Sequence, residues 1–297
     1  MARSCGGRAQ GRLAAAAVAA LLCAFPVAGA RAQAQPVVPG LMGPNALPTL
    51  PVEDPVVGEE LLVQVQGTVQ LNDQGTDVAF APYFRLEIPF LKVVALTFDG
   101  TPVEFWRVSP ETQAATGAQN ASGTTAGDIR FGARFLVIRE SGWVPALGVR
   151  ILTKTTTGKG LADRRFTDAP AYEIDALAAR TVLEGDGFVR RLRVMLQLGF
   201  FAWQQVTATQ DDAVAYGAAL QAVLRPGVQL DLQVRGYTGW QGNDSPLVVG
   251  LGASYALKPV RFLLAVNRGL TTAAPNWDIR AGVEFYFRIP YLAGPEP

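Results

Sequence analysis

The chain contains no histidine, and both of its cysteines, Cys5 and Cys23, lie near the N-terminus. Histidine bases and triads are therefore excluded, and with them most hydrolases that depend on them. The Gly-x-Ser-x-Gly elbow is also missing. Lysine is scarce. Only Lys92, Lys154, Lys159 and Lys258 occur, and no matching serine motif accompanies the two near long loops, Lys154 and Lys159. The sequence thus points to no catalytic residue, cofactor or metal. Net charge is nearly absent too: 26 Lys and Arg balance 25 Asp and Glu. No basic field steers the chain to nucleic acid.

The cations that are present are mostly arginine. Arg suits partly enclosed polar sites because its forked guanidinium is weakly hydrated; a GC-rich coding bias is the alternative source. Among 297 residues, 49% are hydrophobic, with 31 Gly and 20 Pro. That is too apolar for disorder and too rich in turn formers for a helical bundle.

Residues 1–30 have the pattern of a secretory signal peptide. Arg3, Arg8 and Arg12 precede the apolar run Leu13–Ala30, and Ala28-Gly29-Ala30 supplies a small-x-small cleavage site. Cleavage there leaves 23 basic against 25 acidic residues and no cysteine. Residues 31–60 are dense in Pro and Gly, which forbids a regular helix and favours extended chain. A periplasmic linker is the plain reading, and a short plug entering a pore is the alternative.

From Leu62 onward, apolar and polar residues alternate with period two. Val63, Val65 and Val69 alternate with Gln64, Gln66 and Gln70, and Val228, Leu230 and Leu232 with Gln229, Asp231 and Gln233. Each stretch therefore has one apolar and one polar face. About twelve strands are expected. Their spans are 61–71, 77–90, 93–107, 127–139, 143–155, 172–184, 188–204, 212–225, 227–240, 246–257, 260–270 and 276–290. In 172–184, Glu173 and Asp175 prefer one face and Arg180 the other, so its orientation stays open. No helix period appears after the signal.

The connections alternate long and short. Ser109–Ala126 and Thr156–Ala171 are long, whereas Leu91-Lys92, Pro226-Gly227 and Lys258-Pro259 are tight. Short periplasmic turns and longer external loops are the pattern of an outer-membrane barrel. The fold class is therefore all-β: an antiparallel up-and-down transmembrane β-barrel over residues 61–290, with a C-terminal tail at 291–297. Trp106, Trp143, Trp203, Trp240 and Trp277 fall at strand ends and read as a membrane girdle.

The opposite face carries too many ionic groups for a dry core. Arg85, Glu87, Asp128, Arg130, Arg134, Arg150, Arg191, Arg193, Asp231, Arg235, Arg280, Glu284 and Arg288 are the candidates for lining a wet lumen or its constriction. They form either a structural ladder of ion pairs or a filter for solutes.

Two stretches carry a resemblance. Gly127-Asp128-Ile129-Arg130-Phe131-Gly132-Ala133-Arg134 is followed by Val144-Pro145-Ala146-Leu147-Gly148-Val149-Arg150 and Lys154-Thr155-Thr156-Thr157-Gly158. Together they resemble the outer-membrane family associated with the meta-pathway of phenol degradation, with Thr156 where proline is usual. The resemblance implies a channel-like barrel that admits small hydrophobic or aromatic compounds. The expected place is the Gram-negative outer membrane, and the expected partners are its lipid, the barrel assembly machinery and small solutes. The alternative is a non-conducting barrel that binds a surface partner or stabilises the envelope.

Overall fold

The computed structural model describes residues 51–72, 76–166, 169–204, 210–225, 227–240 and 245–289. The signal at 1–30, residues 31–50 and the tail at 291–297 lie outside the described residues.

Period-two patterning becomes strands almost wherever it occurs. The strands are β1 (Glu60–Asn72), β2 (Asp77–Phe90), β3 (Val94–Gly100), β4 (Glu104–Arg107), β5 (Ser122–Thr125), β6 (Ile129–Ile138) and β7 (Ala146–Lys154). They continue as β8 (Ala171–Glu184), β9 (Arg191–Gln204), β10 (Gln210–Arg225), β11 (Val228–Gly239), β12 (Leu247–Leu257), β13 (Val260–Gly269) and β14 (Trp277–Arg288).

The sheet is antiparallel and closes on itself. β1 pairs with β2 on one side, Leu62 opposite Glu87, and with β14 on the other, Leu71 opposite Trp277. Twelve staves form the barrel. The expected strand 93–107 is one stave in two pieces. β3 pairs with β2 and β6, whereas β4 pairs with β2 and β5 beyond the break at 101–103.

The two faces are inverted relative to a soluble protein. Val65, Leu198, Leu251 and Phe262 are at least half exposed on the outer face, while Thr68, Gln70, Asp99, Glu173 and Asp175 are buried inside. Such a surface is stable only against hydrocarbon.

β8 resolves its ambiguous orientation. Glu173, Asp175, Leu177 and Ala179 are all buried on the inner face. Arg180 lies on the opposite face near the strand end, where its guanidinium sits 5.2 Å from the Trp143 ring and donates to the Gly142 carbonyl at 2.7 Å. A bulge then shifts the register between Thr181 and Leu183. The other register shifts, at Leu136/Ile138 and Val223/Arg225, also lie beside short turns. Bulges bend strand ends in this way.

The long connections hold structure that periodicity does not reveal. A seven-residue helix, α1 (Pro110–Thr116), begins at Ser109, whose hydroxyl accepts from the Thr112 amide at 3.1 Å. Gly117 closes it in the left-handed region. The helix overturns the expectation of none after the signal. It is too short to show a 3.6-residue period, but the Ser-Pro start and Gly stop were present. A 3-10 turn at Leu161–Asp163 meets this loop, with the Gln119 amide donating to the Ala162 carbonyl at 3.1 Å. The Arg165–Glu104 ion pair is fully buried beneath them.

Leu232 lies on the outer face of β11, 41% exposed. Leu232→Arg is expected to cost about 2–4 kcal/mol near the membrane midplane. Refolding into lipid vesicles, read by heat-modifiable gel mobility, should show a reduced folded fraction. Wild-type refolding would overturn the face assignment.

Candidate solute pathway through the barrel

The barrel interior is neither empty nor lined only by its staves. The chain before β1 enters it. Val52, Glu53, Pro55 and Val57 are all buried. Val52 packs with Ala179, Met195 and Ala219, and its amide donates to Gln233 Oε1 at 3.2 Å. Val57 packs with Ala95, Leu136 and Ala146. Two inward glycines allow this close approach. A Cβ at Gly148 would stand 2.7 Å from Pro55 Cβ, and one at Gly217 would stand 2.7 Å from Val52 Cγ2.

Two acids fasten the segment. Arg85 Nη1 donates to Glu53 Oε1 at 2.7 Å, and Arg134 Nη1 to Glu53 Oε2 at 3.1 Å. Arg150 Nη1 stands 3.5 Å from the same carboxylate. One inserted carboxylate thus meets guanidiniums from β2, β6 and β7. Asp54 pairs with Arg193 on β9, whose Nη1 also reaches Glu140 at 2.5 Å.

Most of the remaining charges are matched. Glu87 accepts from Arg85 at 2.7 Å and from Arg134 at 2.6 Å. Arg150 donates to Glu173 and Asp175, both at 2.8 Å. Arg130 Nε donates to Asp99 at 2.7 Å. Across the bore, Arg280 Nε donates to Asp278 at 2.6 Å, and Asp278 also accepts from Gln70 and Asn267. Pairing of this kind offsets the cost of burying charge.

Among the expected lumen residues, Arg85, Glu87, Arg134 and Arg150 come together in one network through Glu53, and Arg130 pairs separately with Asp99. Arg193 and Arg280 join acids elsewhere in the bore. Asp231 accepts from Gln229, and Glu284 from the Tyr286 hydroxyl. Arg235 is taken up below. Arg191 and Arg288 are exposed at the short-turn end. Asp128 belongs to the long-loop end, where Lys154 Nζ lies 2.7 Å from it and the Gly158 amide donates to it at 2.8 Å. The two halves of the motif, thirty residues apart, lock together through this carboxylate.

Two of the five tryptophans contradict the girdle. Trp106 is 5% and Trp203 6% exposed, and both point inward. Trp106 packs with Ala79, Ala81 and Val108 beside Arg165. Trp203 joins Phe201 and Tyr237. Strand parity should have placed Trp203, because it lies an even number of residues after inward Arg193. The break at 101–103 inverts parity before Trp106 and hides its facing. Trp143, Trp240 and Trp277 are exposed.

Sequence reasoning overlooked Asp99, Asp278, Glu53 and Asp54 as site residues. Alternation within their strands could have placed the first two. Glu53 and Asp54 are the only acids in residues 31–58, a faint signal that names no partner.

At the short-turn end, Glu140 links the Thr181 amide, at 2.7 Å, to Arg193. Slight burial opposes its charge, but these donors outweigh that and hold its pKa below the ordinary 4.5.

Several solved structures share the fold. Among them are an outer-membrane channel from Pseudomonas putida F1 (TM-score 0.58, 12% identity, 80% of this chain and 97% of that one), the NanC porin (0.52, 9%, 75% and 98%) and the KdgM porin (0.50, 10%, 76% and 99%). At such identities the likeness is one of fold: that of outer-membrane channel barrels. The chain matches no protein-family model and no curated protein.

Glu53→Ala is expected to free the inserted segment while the barrel stays closed. Breaking a buried charge pair costs roughly 3–5 kcal/mol. Faster protease cleavage within 51–59, with unchanged heat-modifiable mobility, should report it. The Glu140 latch has a pH signature. A carboxylate with a lowered folded pKa stabilises above its unfolded value and loses that contribution as pH falls through the folded one. Hydrogen-exchange protection of Thr181 should therefore hold from pH 7 to about 5 and fall only in stronger acid.

Proposed function

We propose that the chain is an outer-membrane channel that passes small solutes by diffusion. The observation that carries this is a closed twelve-stave barrel, apolar outside and charged inside. A dry interior would exclude ionic groups in such number, whereas a hydrated bore accommodates them. The shared fold with outer-membrane channels supports the reading. So does the signal-like segment at 1–30, which fits export to a Gram-negative outer membrane. Membrane lipid and the barrel assembly machinery are then the partners. No arrangement of the described residues points to catalysis.

The solutes are small and hydrophobic or aromatic, as the motif resemblance to the phenol meta-pathway family implies. The Arg-lined lumen acts as the filter. Residues before β1 act as a plug, because Glu53 and Asp54 anchor them to four arginines around the bore. That insertion also favours a second reading, a non-conducting structural or surface-binding barrel.

Planar-bilayer recording of the mature chain, with and without residues 31–59, separates the two. Stepwise conductance that rises several-fold on deletion is expected. Silence from both proteins, with folding verified, would replace the channel reading with the closed barrel.

A further inference from the structure

One guanidinium in the bore stands apart. Arg85, Arg130, Arg134, Arg150, Arg193 and Arg280 each meet a carboxylate. Among the described residues Arg235, on β11, meets none, and its Nε and Nη2 are buried without a hydrogen-bond partner. Its side chain shares the inner face of the barrel with Tyr237, two residues along the strand. Two residues of strand advance about 7 Å. The neighbouring positive charge, Arg280, is already engaged by Asp278 at 2.6 and 2.9 Å. An unmatched buried cation is costly, and an arriving anion removes the cost.

The surroundings of Arg235 specify more than charge. Tyr237 belongs to a nest of three inward rings. Phe201 lies 4.7 Å from Tyr237 at 81°, Trp203 lies 5.3 Å from it at 76°, and Phe201 and Trp203 are 4.6 Å apart. Ala171, Ala213 and Ala215 pack around them, which leaves the rings as the bulky groups of this wall. A further flat ring would meet this nest in offset-stacked or edge-to-face geometry. Val52 of the inserted segment also comes near Arg235. Both approach the empty side of Gly217, where an added Cβ would lie 2.7 Å from Val52 and 3.3 Å from Arg235 Cβ.

We infer that Arg235 and the Phe201–Trp203–Tyr237 nest form a lumen binding site for small aromatic carboxylates. The guanidinium receives the carboxylate through a forked pair of hydrogen bonds, and the nest receives the ring. The inference deepens the channel reading and rests on it for solute access. It narrows the solute from any small aromatic to one that carries a carboxylate.

The test is equilibrium binding of benzoate, benzyl alcohol and acetate to the full mature chain, folded in detergent micelles, by titration calorimetry. Benzoate should bind more tightly than either of the others. Arg235→Gln should weaken benzoate by about tenfold or more, the loss expected for a charged contact, and leave benzyl alcohol unchanged. Tyr237→Ala should weaken benzoate but not acetate. Arg191→Gln, at the exposed rim, should alter nothing. Heat-modifiable mobility verifies folding, and Arg235→Lys, with charge kept and fork lost, should fall between wild type and Arg235→Gln. Equal binding of benzoate and benzyl alcohol, no benzoate binding at millimolar concentration, or insensitivity to Arg235→Gln would each overturn the site. Conductance of the same preparation keeps the two readings apart. Benzoate binding without conductance refutes the channel and leaves the site; conductance without benzoate binding refutes the site and leaves the channel.

Discussion

Closure of the sheet between β1 and β14 is the constraint on which everything else depends. In hydrocarbon, an unpaired backbone N–H or C=O has no water to turn to. The pairing from Glu60–Arg288 to Leu71–Trp277 removes the free edge that an open sheet would expose. Closure also defines an inside. It turns a row of alternating glutamines, arginines and acids into facing walls. The same alternation in an open sheet would place those groups along one flat surface, with nothing opposite them.

The inside is then governed by charge matching. Its arginines come from several strands, and their acids are mostly on other strands or on the inserted segment. Arg130 meets Asp99 on β3, Arg150 meets Glu173 and Asp175 on β8, and Arg85 meets Glu53 from outside the sheet. Such pairs carry little net stability once desolvation is counted, yet losing one partner is expensive. The network therefore fixes which groups sit opposite one another more than it adds to stability. It holds the inserted segment in one position, and it leaves Arg235 as the unmatched member of the set.

The fold was legible to a degree that the site was not. Strand bounds such as 77–90 were read from alternation alone, because facing repeats every second residue and needs no knowledge of a partner. Alternation also placed Arg85, Arg130, Arg134, Arg150, Arg193 and Arg280 on the inner face. It failed at breaks and ends. At 101–103 the parity inverts and turns Trp106 inward. At Thr181/Leu183 a bulge lies beyond the position where Glu173 and Arg180 seemed to conflict. Position at a strand end was given more weight than parity for Trp203, and that misplaced it. Helix α1 escaped because seven residues show no period.

By itself, the sequence determined the class of protein: a closed β-barrel with an apolar exterior, long loops at one end and no histidine. These properties follow from local periodicity and composition, so neighbours along the chain suffice to reveal them. Only the tertiary structure decided what fills the bore. Glu53 lies 81 residues from Arg134, and Asp54 lies 139 from Arg193. Nothing local to a proline-rich stretch announces contacts of that span. They exist because closure brings four distant strands around one axis and leaves buried guanidiniums that need a carboxylate.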